Sequence, residues 1–153
     1  MQMIIEHTRS THELAKLNET VQTWHHKNFP DEFKPFNKNE IEQAFEKMFN
    51  KENVFAFIAR NESQSFGYLL GYIQTRPESA FQYEKRVLYI DQVVVIPEYQ
   101  KHGIGQKLME KVNAFALKEN INEVQLDFWT GNDVAEYFFL ANGFNHFKHR
   151  MKR

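Results

Sequence analysis

Between Arg86 and Lys118 the periodicity of the chain changes once. Arg86 to Ile96 is an alternating run rich in Val and Ile, which predicts a strand, and Ile104, Leu108, Val112 and Phe115 then recur at helical spacing. The two are joined by Pro97-Glu98-Tyr99-Gln100-Lys101-His102-Gly103, with a second glycine at Gly105. A strand that feeds an amphipathic helix through a short turn is half of a parallel crossover, so the chain is directed to an α/β architecture. The junction also has a chemical property. The first turn of a helix leaves about four N–H groups without intrahelical partners and carries the positive end of the macrodipole, a setting that binds phosphate. Gly103 and Gly105 hold no Cβ against an approaching anion, and Lys101 and Lys107 place positive charge on either side.

The two familiar glycine fingerprints do not fit this turn. A dinucleotide loop needs a third glycine where Leu108 stands, and a P-loop needs a Gly-Lys-Ser/Thr closure that the chain lacks. The spacing is instead Q-x-x-G-x-G, at Gln100, Gly103 and Gly105. It resembles the acyl-CoA pyrophosphate loop of the GNAT superfamily of N-acetyltransferases, whose usual form is [RQ]-x-x-G-x-[GA]. Downstream, Leu126 to Phe144 resembles the second signature of that family, a strand followed by N-x-x-A-x-x-F-Y-x-x-x-G-F, with Asn132, Ala135, Phe138, Gly143 and Phe144 in register. One position departs: Phe139 stands where the family usually has Tyr. The resemblance covers Leu88 to Phe144, and the N-terminal half is similar only in its coarse pattern.

Length and composition agree with one such unit. The 153 residues are 42% apolar, enough for one core and too few for two, so residues 1–153 read as a single domain. The net charge of −1 is spread evenly along the chain, which directs the reading away from nucleic-acid and membrane surfaces. The basic run Lys148 to Arg153 reads as a solvated chain end. With no cysteine there is neither a disulfide nor a thiol nucleophile. No segment has the length of a signal-peptide core or a membrane span, so a cytoplasmic protein is expected. The seven histidines include no H-E-x-x-H or similar ligand set, so no metal is expected.

The remaining elements follow from pattern. Met1 to Glu6 reads as a strand, and a helix capped by Ser10 or Thr11 runs to about Asn28 with Leu14, Leu17, Val21 and Trp24 on its apolar stripe. Pro30 and Pro35 break the chain, and Asn39 is placed to cap a second helix over Glu40 to Phe49. Asn53 to Arg60 and Phe66 to Gln74 read as a hairpin, Glu123 to Phe128 as a strand, Asp133 to Asn142 as a helix closed by Gly143, and Phe144 to Met151 as a last strand. The order β-α-α-β-β-β-α-β-α-β predicts a central mixed sheet with helices on both faces, similar to the GNAT fold but lacking the common final strand of that family. The sheet edge so exposed leaves room for a homodimer.

The resemblance implies a reaction and a set of residues. It implies transfer of an acetyl group from acetyl-CoA, as cosubstrate, to a primary amine, here of a small molecule, by direct attack through a tetrahedral intermediate. Val93 and Val95 would pair through their backbone with pantetheine, Gln100, Lys101, His102, Gly103, Ile104, Gly105 and Lys107 would hold the pyrophosphate, and Asn132 and Phe139 would line the cofactor side. For His102 the alternative is that only its N–H matters. Alternation along Arg86 to Ile96 puts Val87, Tyr89, Asp91, Val93 and Val95 on one side and Leu88, Ile90, Gln92, Val94 and Ile96 on the other, so Asp91 or Gln92 interrupts a buried face. Asp91 is the candidate general base, with a satisfied structural carboxylate as the alternative; Gln92 either orients the amine or a water or is an edge amide. Phe139 has no proton for the departing thiol, and it either packs against the cofactor or lies in the core. Trp24, Phe29, Phe33 and Phe36 fall in the segment that walls the acceptor pocket in the family, and Trp129 is similarly placed; core packing is the alternative for each. Two further functions stay open: a non-catalytic acyl-CoA sensor, and an acetyltransferase acting on a protein N-terminus or lysine.

Overall fold

Ser10 starts the first helix by accepting a hydrogen bond from the Glu13 N–H at 3.3 Å, and α1 runs Thr11–Asn28. A computed structural model describes residues 2–153; the Met1 end of the expected first strand lies outside them, and β1 spans Ile4–His7. The second helix, α2, is Lys38–Phe49 and is capped by Asn37 rather than Asn39. Asn37 Oδ1 accepts from the Glu40 N–H at 3.1 Å and its carbonyl accepts from Ile41 N–H, so starting two residues earlier extends the helix without altering its stripe.

The other strands are β2 Val54–Arg60, β3 Ser65–Arg76, β4 Lys85–Val95 and β5 Val124–Leu126, in spatial order β1-β2-β3-β4-β5. All pairs are antiparallel except β4 with β5, which is parallel. Parallel neighbours need a crossover, supplied by a 3-10 turn at Pro97–Tyr99 and α3 at Ile104–Lys118. The last helix, α4, is Asp133–Ala141.

Alternation along the strands sorts the core into two layers. Phe55, Phe57, Ala59, Leu69, Leu88 and Ile90 pack with Ile104, Leu108, Met109 and Val112 of α3. On the opposite face Val54, Ala56, Ile58, Tyr68 and Leu70 pack with Leu14, Ala15 and Leu17 of α1 and with Phe45 and Phe49 of α2. Each layer buries several large aliphatic and aromatic side chains, of the kind that contribute about 1.5–3 kcal/mol apiece when removed from water.

Besides the cap of α2, two expectations from the sequence do not hold. Strict alternation along β4 fails at Asp91: Leu70 faces Gln92 and Gly71 faces Ile90, so Asp91 has no partner across the ladder. This is a β-bulge, and it shifts the parity of everything after it. Leu88, Ile90, Val93 and Val95 therefore all face α3, whereas Val94 joins the α1 and α2 side. The second failure is the predicted strand Phe144 to Met151, which forms no ladder. Its apolar residues Phe144, Phe147 and Met151 are spaced by three and four, so a strand would turn them to both faces. Phe144 packs against the α3 layer while Phe147 and Met151 are exposed.

Candidate active site

The bulge sets where the sheet opens. The parallel ladder joins Leu88 to Val124, Tyr89 to Gln125 and Ile90 to Leu126, and there it stops. Beyond it the chain after β5 continues as Asp127-Phe128-Trp129 outside the ladder, while β4 runs five residues further with β3 on one side only. The backbone from Asp91 to Val95 thus borders a gap.

At the end of that gap lies the turn into α3. None of the N–H groups from Lys101 through Gln106 donates to a protein acceptor among the described residues; the first intrahelical bond is from Lys107 N–H to the Gly103 carbonyl at 3.1 Å. Gln100 fastens the loop by donating its side-chain Nε2 to the Val95 carbonyl at 2.9 Å. Lys101 has φ of 64° and Gly103 φ of 80°, a pair of left-handed residues that turns successive N–H groups inward in the manner of an anion nest. Lys101, His102 and Lys107 are exposed, and neither lysine makes an ion pair among the described residues. Ile104 is buried in the core, so only its backbone is available to the cradle.

The two glycines serve different ends. At Gly103 a Cβ would meet nothing within 4 Å, and its requirement is the positive φ. At Gly105 a Cβ would come within 3.0 and 3.1 Å of the Phe138 ring. The glycine of the first motif therefore makes room for the phenylalanine of the second. The reading that both keep the backbone clear for an anion leaves out the positive φ of Gly103 and the Phe138 contact of Gly105.

Asp91 and Gln92 stand at the mouth of the gap. Gln92 Nε2 donates to Asp91 Oδ2 at 3.2 Å. Asp91 has an exposed edge, yet the surrounding protein strips enough water from its carboxyl to raise its pKa above the ordinary 3.8; the Gln92 bond pulls the other way, and repulsion from Asp127 adds to the rise. Asp127 accepts a short hydrogen bond from the Tyr89 hydroxyl, and Tyr89 lies with its ring 5.1 Å from that of Tyr72. Both phenols are held protonated well above neutrality by desolvation first, and then by the charges of Asp127 and Asp91. No Lys or Arg bridges Asp91 or Asp127 among the described residues, so the site has a negative field without its own counter-ion.

Sequence reasoning overlooked Asp127, Tyr89, Tyr72, Tyr68 and Asn18 as members of this site. Asn18 did leave a signal, being a polar residue at i+4 from Leu14 within the apolar stripe of α1. Asp127 left a weaker one, as the carboxylate just past the alternating run Val124-Gln125-Leu126.

Three of the aromatic candidates converge. The ring of Phe29 lies 4.7 Å from that of Trp129, Phe33 meets Trp129 edge-on at 5.5 Å, and His25 stacks on Phe33 at 4.4 Å. The His26 ring bonds the Phe33 carbonyl at 2.7 Å and Gln22 Nε2 donates to the Lys34 carbonyl at 2.8 Å, so the connection from α1 to α2 is tied down against α1. It therefore meets the loop after β5. Trp24 approaches Phe29 at 6.1 Å, whereas Phe36 makes no ring contact of this kind among the described residues.

In the second motif, Asn132 caps α4 by accepting from the Ala135 N–H at 3.2 Å. Phe139 is ringed by Phe128, Phe138 and Phe144 at 5.6 to 5.9 Å, and Tyr137 is 79% exposed on the far side of α4. No phenol of α4 replaces the missing Tyr. A recess of about 390 Å³, lined by Phe55, Ile73, Arg86 and Phe115 among others, lies elsewhere and contains none of these groups.

Comparison with known proteins places this geometry. An N-acetyltransferase of Archaeoglobus fulgidus, described as uncharacterized, is 28% identical over 106 residues, 68% of this chain and 69% of its own. The structure of a tetramutant of the BH1408 protein from Bacillus halodurans superposes with a TM-score of 0.86 at 20% identity, over 98% of both chains. The aminoglycoside N-acetyltransferase AAC(6')-Iy, solved in complex with CoA, superposes with a TM-score of 0.75 at 16% identity, over 99% of this chain and 93% of that one. These likenesses establish the fold. The sequence profile of the acetyltransferase (GNAT) family matches residues 18–144, which takes in α1 from Asn18 onward, the bulged strand, the turn into α3 and α4. An enzyme of the acyltransferase class, this chain belongs to the GNAT family of N-acetyltransferases.

Proposed function

We propose that the protein transfers an acetyl group from acetyl-CoA to the primary amine of a small, cationic molecule. The observation that carries this reading is the run of unpartnered N–H groups from Lys101 to Gln106 at the end of a strand whose backbone, from Asp91 to Val95, borders an open gap. The cradle suits a pyrophosphate and the strand edge suits the amides of pantetheine, so the thioester would come to rest beside Asp91. Val93 and Val95 supply strand backbone, Gln100 holds the loop to it, and Lys101, His102 and Lys107 lie at the rim.

The acceptor enters from the side of Asp91, Asp127 and the rings of Phe29, Phe33 and Trp129. An alkylamine with a pKa near about 10.4 is neutral in only about one molecule in 2,500 at pH 7, a cost of about 4.6 kcal/mol. The field of Asp91 and Asp127 gathers the protonated form. The bound ammonium first gives up one proton to solvent, at that cost; the freed lone pair joins nitrogen to the acetyl carbon, and a second nitrogen proton, now far more acidic, passes to the Asp91 carboxylate, which Gln92 orients. An N–H on the open edge of β4 beside Asp91 polarises the carbonyl oxygen, and the carbon–sulfur bond breaks. The thiolate, with a pKa near about 8.5, leaves without a donor on α4 and takes its proton from solvent or from Asp91.

Thiol release measured with acetyl-CoA and a panel of diamines, aminoglycosides and lysine peptides tests this. Turnover of small amines, abolished by Gly103→Glu together with CoA binding and cut by Asp91→Asn with binding intact, supports the reading. Phe139 favours one other, a CoA-binding sensor: CoA protecting the fold while no acceptor is turned over would select it. Turnover confined to peptides would move the acceptor to protein amines.

A further inference from the structure

Asn18 is the one buried polar or charged residue among those described, at 3% exposure, and nothing in the packing of α1 requires an amide there. Its Nδ2 donates to the Tyr68 hydroxyl at 3.1 Å and to Gln92 Oε1 at 3.3 Å. The Tyr68 hydroxyl, itself fully buried, donates to the same Gln92 oxygen. Asn18 Oδ1 is left buried with no partner among the described residues, an arrangement that ordinarily costs stability. A leucine at this place would pack as well without that cost.

The consequence falls on Gln92. With two donors on its oxygen, the amide is held as it stands: a flip of Gln92 against the present Asn18 amide would set Nε2 against the Asn18 amide nitrogen, and any flip would set Oε1 against a carboxylate. The Gln92 N–H is thus forced toward Asp91. We infer that Asn18 and Tyr68 are positioning residues that act through Gln92 to hold a hydrogen-bond donor on the catalytic carboxylate Asp91, keeping it available as a base at neutral pH. The inference rests on the assignment of Asp91 as the base.

The titratable groups around Asp91 are Asp127 from the loop after β5, Tyr68 and Tyr72 from β3, and Tyr89 from its own strand. All three phenols stay protonated through the acidic and neutral range, so none of them brings a charge change of its own to the Asp91 carboxyl there. Burial raises the Asp91 carboxyl and the Gln92 bond opposes it, which gives the sign: losing the bond raises it further.

The test is the acidic limb of the kcat/KM profile, with a carbon-13 titration of the Asp91 carboxyl in the unliganded protein. In Tyr68→Phe and in Asn18→Leu the limb and the carboxyl midpoint both move to higher pH, so that kcat/KM on the limb falls about threefold or more while the plateau above it stays within about twofold. In a Gln92→Leu background neither substitution moves them further. Asp127→Asn moves both downward, which separates repulsion from the network. Asn18→Leu also melts at a temperature no lower than the parent, which a purely structural amide would not allow. A midpoint unmoved in Tyr68→Phe and Asn18→Leu, or moved equally in the Gln92→Leu background, overturns the inference whatever the activity shows. Full turnover by Asp91→Asn instead removes the base assignment, and a carboxyl midpoint that still shifts would leave the network as a device with no catalytic role, also overturning it.

Discussion

Gly105→Ala separates the two tasks of the glycine motif. The added Cβ would lie 3.0 and 3.1 Å from atoms of the Phe138 ring, against about 3.5–4.0 Å for an unstrained carbon contact. Relief requires the half-buried ring of Phe138 to yield by roughly 0.5 Å, and overpacking of this kind costs about 1–3 kcal/mol. Against that, alanine in place of glycine inside a helix gains about 0.5–1 kcal/mol. The net expectation is a loss of about 1 kcal/mol, or about 2–4 °C in melting temperature for a chain of this length. The sign should reverse when the ring is trimmed. In a Phe138→Leu background the clash is gone and only the helix gain remains, so the same Gly105→Ala change stabilises by about 0.5–1 kcal/mol. Urea denaturation of the four proteins, with CoA affinity measured by calorimetry on each, reads both quantities. Equal effects of Gly105→Ala in the two backgrounds would refute the packing argument, and a loss of CoA affinity that persists in Phe138→Leu would return Gly105 to the anion site alone.

Three more outcomes follow from the geometry. Gly103→Ala should cost about 1–2 kcal/mol by denaturation, all of it from the left-handed backbone, because a Cβ there touches nothing within 4 Å; a neutral result would mean the loop relaxes out of that conformation. Trp129→Ala, which removes the ring shared by Phe29 and Phe33, should raise the acceptor KM about 3–10-fold and leave the KM for acetyl-CoA unchanged; a change in the latter alone would move the aromatic cluster to the cofactor side. The Asp91 carboxyl is raised in the folded protein, so its contribution to stability is complete below the ordinary value of 3.8 and is lost as pH rises through the folded one. Asp91→Asn should therefore unfold at higher denaturant than the parent at neutral pH, with the gap closing as pH falls; a variant less stable at neutral pH would show the carboxylate to be structural.

How much could be read from the sequence depends on how local the cause is. Helices announced themselves through stripes and caps: Ser10 and Glu13 fix the start of α1, and Gly143, at φ 86°, follows the end of α4 as its place in the pattern implies. The cradle was legible for the same reason, since its N–H groups belong to one short turn. What α1 brings to the sheet was not legible as function. Asn18 is a polar interruption in a stripe, and its meaning exists only once β3 places Tyr68, and β4 places Gln92, against it. Asp127 likewise is an ordinary acidic residue until parallel pairing of β5 sets it beside Tyr89. Such encounters join residues 38 to 74 positions apart, and no periodicity records them.

The bulge is the instructive failure. Alternation from Val87 to Ile96 is regular enough to assign every side chain to a face, and the assignment is correct as far as Ile90. It then misplaces Val93 and Val95, because one residue leaves the ladder. Nothing in the composition of β4 marks that place except Asp91 and its polar neighbour Gln92: a regular strand would have to turn Asp91 into one of two packed layers or onto the β5 ladder, and burying an unpaired charge there costs far more than a lost backbone bond. Letting Asp91 bulge removes it from both layers, turns β4 away so that β5 ends at Leu126, and leaves the carboxylate at the mouth of the gap so created. A local conflict between charge and alternation is thereby resolved by the same deformation that opens the site, which is why the rule that reads the rest of the sheet fails at this residue.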